Sequence, residues 1–75
     1  MVLGTIRAMA APKLLVERRG PVTILTLNRP EVRNCIDAET AGLLSDAIEA
    51  FTADDRALVM VVTGAGEEAF CSGAD

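Results

Sequence analysis

Two short segments hold the residues whose types and spacing could do chemistry. The first is Phe70-Cys71-Ser72-Gly73-Ala74-Asp75, a run of small residues directly after a strand-like stretch. Backbone without side-chain bulk lets N–H groups approach a ligand closely and bind an anion. The second is Asn28-Arg29-Pro30-Glu31-Val32-Arg33-Asn34-Cys35-Ile36-Asp37, a polar loop broken by Pro30. Arg29 and Arg33 make it one of the two densest basic groupings, beside Arg18-Arg19. The chain has no histidine and its two cysteines have no CxxC spacing, which argues against a zinc site. Cys35 also lacks a histidine that could activate it as a nucleophile.

The elements that must position these segments belong to a small domain. A chain of 75 residues makes at most one, and domains near ~60 residues bury only about 60% of their unfolded surface. Hydrophobic residues make up 51% of the sequence, yet only Phe51 and Phe70 are aromatic. Such an aliphatic composition suits an interior packed against more protein than the chain supplies. The net charge of −4 argues against a nucleic-acid partner. No apolar stretch reaches the ~20 residues that span a bilayer, so no membrane partner is expected. The two isolated cysteines read as reduced thiols of an intracellular, cytoplasmic protein. Residues 1–12 carry no signal-peptide pattern and are expected to form a disordered arm. Residues 13–75 are expected to form the folded part.

Leu14 to Arg19 and Val22 to Leu27 read as strands, and Gly20-Pro21 between them predicts an antiparallel hairpin. Asp37 can cap a helix with Glu39 in its first turn. Ala41, Leu44, Ile48 and Phe51, widened by Leu43 and Ala47, form an apolar stripe facing a core. Gly42 inside this helix suggests close packing on a neighbour. Asp54-Asp55-Arg56 ends the helix, and the apolar run Ala57 to Thr63 predicts a parallel strand buried on both faces. The expected fold class is therefore α/β, a β-hairpin plus a right-handed βαβ unit.

Gly64-Ala65-Gly66-Glu67-Glu68-Ala69 fits the G-x-G-x-x-A dinucleotide pattern and follows a strand, which makes a Rossmann-type nucleotide-binding half one reading. It requires a helix whose N-terminus faces the pyrophosphate. Glu67 and Glu68 would set two negative charges there. A plain glycine turn is the simpler account.

The two opening segments, in this order, with a helix and a buried strand between them, resemble the enoyl-CoA hydratase/isomerase (crotonase) family. The resemblance runs from about Leu14 to Asp75 and implies the N-terminal part of a crotonase-like fold, incomplete as given. It implies an acyl-CoA thioester substrate, coenzyme A being part of that substrate, with no separate cofactor and no metal. Two backbone N–H groups in this family stabilise an enolate or oxyanion at the thioester carbonyl. By the motif match, Ala74 supplies one of them, within a substrate-contacting stretch of Ser72, Gly73, Ala74 and Asp75. The loop of Arg33 and Cys35 lies against CoA, with Arg33 a candidate for a CoA phosphate. Cys35 departs from the pattern, where alanine is usual; it can narrow the groove or simply fill a gap.

The resemblance implies a second N–H donor and acid/base glutamates further along, which Glu67 and Glu68 do not match. Hydration of a 2-enoyl-CoA, in fatty-acid metabolism, is the default activity. An inactive truncated fragment that only binds CoA or full-length subunits is the alternative. Trimers or hexamers are implied for the full-length family. The 75-residue chain by itself is expected to be inactive, and unstable or prone to aggregate.

Overall fold

A computed structural model describes residues 12–67 and 69–73 of the chain. Strand β1, Leu14–Arg19, pairs antiparallel with strand β2, Val22–Leu27. Both match the sequence expectation, because Gly20-Pro21 interrupts the β-branched and aliphatic runs sharply. A 3-10 turn, Pro30–Val32, leads to helix α1, Ala38–Ala53. Strand β3, Val59–Gly64, then lies parallel to β2, giving the order β1-β2-β3. The result is the expected hairpin plus βαβ unit, with β2 central.

Alternation along β2 explains its place. Thr23, Leu25 and Leu27 are buried, while Val22, Ile24 and Thr26 on the other face are half-buried. Leu25 and Leu27 join Leu14 in the core, which Ile36, Leu43, Leu44, Ala47, Met60 and Cys71 pack against. Helix α1 starts where Asp37 caps it: its carboxylate accepts from the Thr40 N–H at 2.8 Å and the Thr40 hydroxyl at 2.7 Å.

That cap turns the helix differently from the expected stripe. Thr40 is fully buried, Leu43, Leu44 and Ala47 meet the core, and Ala41 and Ile48 are exposed. At about 100° per residue, Thr40, Leu43, Leu44 and Ala47 share one face while Ala41 and Ile48 sit at its margin. Thr40 can be buried because Asp37 satisfies its hydroxyl.

Two further expectations are corrected. Strand β3 starts two residues later than the apolar run and is not buried on both faces. Val59, Val61 and Val62 are 42–50% exposed, because among the described residues helix α1 packs chiefly over β1 and leaves the faces of β3 largely uncovered. Gly42 makes no packing contact among the described residues either; a Cβ there would meet nothing of them within 4 Å. Gly42→Ala is therefore expected to stabilise the protein by about 0.5–1 kcal/mol, the helix-propensity difference. A urea midpoint that falls or stays put in the variant would contradict this.

Candidate functional site

The 3-10 turn ends in an unusual backbone. Arg33 and Asn34 both adopt positive φ, 56° and 59°. Asn tolerates this left-handed region better than most residues, because its short polar side chain bonds locally. Asn34 is 1% exposed although it lies in a polar loop. Its Oδ1 accepts the Arg29 N–H at 2.8 Å. Its Nδ2 donates to the carbonyls of Ala65 at 2.9 Å and Ala69 at 2.8 Å. One N–H and two carbonyls fix which end of the carboxamide is oxygen and which is nitrogen. The Asn34 N–H also donates to Arg29 O at 2.7 Å, closing the turn on itself.

Asn34 therefore ties the arginine loop to the segment after β3. A second set of bonds continues this seam toward the small-residue run. Ser72 N–H donates to Arg33 O at 3.0 Å, and Ile36 N–H donates to Gly73 O at 2.8 Å. The Ser72 hydroxyl reaches Val32 O at 3.4 Å, a long contact. Gly73 has φ +120°, which side-chain-bearing residues rarely adopt, while a Cβ there would meet open space. Its conformation, rather than crowding, is what requires glycine.

Gly64 is glycine for the opposite reason. A Cβ at this position would overlap Phe70 O and lie 2.7 Å from Asn34 Nδ2. The segment after β3 folds back so closely on the end of the strand that no side chain fits.

A pocket of about 160 Å³ opens along this seam, lined by Pro30, Arg33, Asn34, Ala65, Glu67 and neighbours. Of the residues singled out from sequence, Arg33 is exposed at its rim and Ser72 and Gly73 are exposed on the adjoining run. Cys35 is half-buried, its Sγ 3.7 Å from Arg29 Nη1 and its carbonyl accepting from the same nitrogen at 2.7 Å. Ala74 and Asp75 lie outside the described residues, as does Glu68. The structure thus joins Arg33, Ser72 and Gly73 in one seam, with Cys35 beside it. The dinucleotide reading lacks its helix: β3 runs into bends at 65–67, not into a helix N-terminus. Among the described residues, no group of three or more His, Cys, Asp or Glu could hold a metal. Nor is any described helix long and apolar enough to cross a membrane.

A family model described as Enoyl-CoA hydratase/isomerase matches residues 22–75, covering both segments and the seam between them. The chain belongs to the enoyl-CoA hydratase/isomerase family. It is 33% identical over 67 residues to a short-chain-enoyl-CoA hydratase of Clostridium acetobutylicum, covering 89% of this chain and 26% of that protein. It is 33% identical over 66 residues to the mitochondrial 3-hydroxyisobutyryl-CoA hydrolase of Gallus gallus, covering 88% of this chain and 17% of that protein. The solved structure of a carnitinyl-CoA dehydratase from Mycobacterium avium is similar at TM-score 0.81 and 46% identity. That match covers 87% of this chain and 25% of the other. The chain therefore spans about a quarter or less of these enoyl-CoA hydratase/isomerase relatives.

In this family member an ionic cluster holds the loop from behind. Asp37 accepts from Lys13 Nζ at 2.7 Å and lies 3.4 Å from Arg29 Nη1; Lys13 also pairs with Glu39 at 2.9 Å. The Lys13 hydrogen bond, followed by those from Thr40, holds the Asp37 carboxyl well below the ordinary carboxylate range. A depressed folded-state pKa contributes stability above the unfolded value of ~3.9 and loses it as pH falls toward the folded value. Asp37→Asn should therefore be less stable than the parent near neutral pH, and the gap should narrow below about pH 4. Urea midpoints across that range check this; a gap that stays constant with pH would contradict it.

Proposed function

We propose that this chain supplies one oxyanion donor and part of the coenzyme A contact of an enzyme that hydrates 2-enoyl-CoA thioesters. The supporting observation is the hydrogen bond from Ile36 N–H to Gly73 O at 2.8 Å. That bond fixes the Gly73 carbonyl, directly before the proposed donor in sequence. Small residues at Ser72 and Gly73 leave room for a thioester beside it.

In hydration, water adds at C3 of the enoyl group, and the C2–C3 π electrons move toward the thioester oxygen. A proton then reaches C2. The charge that builds on the oxygen is what a preset N–H stabilises, in a site where the donor needs no reorganisation. Hydration also requires a second donor and acid/base groups. The hydratase, hydrolase and dehydratase named above all carry CoA substrates in their names. Arg33, at the pocket rim, is proposed to meet a CoA phosphate, with Cys35 shaping the loop beside it and Asp75 a further substrate contact. The enzyme is taken to be cytoplasmic and to assemble as a trimer or hexamer.

Arg33→Ala in the whole protein should raise KM for crotonyl-CoA about tenfold, the scale of one lost charge-assisted hydrogen bond. The corresponding pantetheine thioester, which lacks those phosphates, should be unaffected. Equal losses on both substrates would reject the phosphate role. Tight acyl-CoA binding without turnover by the parent protein would favour the inactive, binding-only reading.

A further inference from the structure

We propose that Asn34 is a positioning residue for the oxyanion donor, acting through the carbonyls of Ala65 and Ala69. This inference rests on the proposed function for its catalytic consequence, but its structural half can be read independently.

The carboxamide spends both Nδ2 protons on those two carbonyls and its oxygen on Arg29 N–H. The partners lie on the arginine loop and on the segment after β3, up to 35 residues away in sequence. Ala69 is followed directly by Phe70, whose carbonyl is pressed against Gly64. The chain then runs to Ser72 and Gly73, which bond back to Arg33 O and Ile36 N–H. The donor run is therefore gripped at both ends, by Asn34 at Ala69 and by the Ile36 bond at Gly73. Neutral carboxamide nitrogen suits two carbonyl acceptors, whereas a carboxylate would face them with lone pairs only. Asn34 touches neither Ser72 nor Gly73 through these bonds, so its effect on the reaction is indirect. Misplacing a catalytic group by ~1 Å can cost about 10²-fold in rate.

Two variants of the whole protein separate this role from simple tolerance of positive φ. Asn34→Gly keeps the left-handed backbone and deletes the carboxamide; Asn34→Asp keeps the shape and removes both donors. Both should lower kcat per folded molecule about 10²-fold. Affinity for free CoA, which has no thioester carbonyl, should fall by less than kcat does. Amide hydrogen exchange at Ser72 and Ile36, at matched pH, should quicken in both variants. Parental kcat and exchange in Asn34→Gly would overturn the proposal by showing that only the backbone conformation matters. Unchanged exchange in both variants would overturn it whatever the activity. A parent protein with no turnover, alongside variants with faster exchange, would reject the hydratase reading and support the clamp.

Discussion

Gly64→Ala should shift the urea unfolding midpoint of the whole protein downward by the equivalent of about 1–3 kcal/mol. The upper end is expected because the added methyl would meet backbone rather than a flexible side-chain tip. Phe70 O and Asn34 Nδ2 both occupy the space a Cβ would need. Something must move, and each option is costly. Shifting Phe70 pulls on the Ala69 carbonyl that Asn34 holds at 2.8 Å. Shifting Asn34 breaks its bonds to Ala65 and Ala69 and leaves buried polar groups unpaired, at about 1–3 kcal/mol each. The substitution therefore damages the seam itself, and turnover should fall with stability. The contrast with Gly42→Ala is the useful control: the same change, in open space, should act in the opposite direction. A Gly64→Ala protein as stable as the parent would mean that the segment after β3 does not fold back as described.

Much of the scaffold was legible because local signals agreed with the tertiary outcome. β1 ends and β2 begins at Gly20-Pro21, and α1 begins just after Asp37, whose side chain makes the cap its type suggests. The rotation of the helix was not legible. Ile48 is as apolar as Leu44, and only the burial of Thr40 under the Asp37 cap shows which flank of the stripe faces inward. β3 read as doubly buried because an apolar run does not say how many neighbours will cover it.

At the site, the two segments were visible from residue type, but what joins them was not. Asn34 looks like a solvated loop residue in a one-dimensional reading. Its burial depends on carbonyls 31 and 35 residues away. The available signal was weak: an asparagine within a Pro-containing polar loop, where positive φ is common. Gly64 read as the start of a glycine turn, whereas its position is the last residue of β3 and its constraint is the approach of Phe70. Close approaches between distant segments leave no local pattern.

The amide of residue 74 carries the largest expected kinetic effect. If Ala74 N–H is an oxyanion donor, its side chain is nearly irrelevant and its N–H is essential. Ala74→Ser should therefore change kcat little, provided the thioester still fits. Replacing the amide by an ester through semisynthesis removes the N–H while preserving the chain's shape. The ester carbonyl at Gly73 remains to meet Ile36 N–H, though as a weaker acceptor. Removing one donor of an oxyanion hole typically costs about 10²–10³ in kcat. The direct measurement is the kcat for crotonyl-CoA hydration by the whole protein carrying that single amide-to-ester change, beside an unmodified protein made by the same ligation. A fall of about 10²–10³ with free CoA affinity intact is the expected result. A kcat within a few-fold of the unmodified protein would contradict the account.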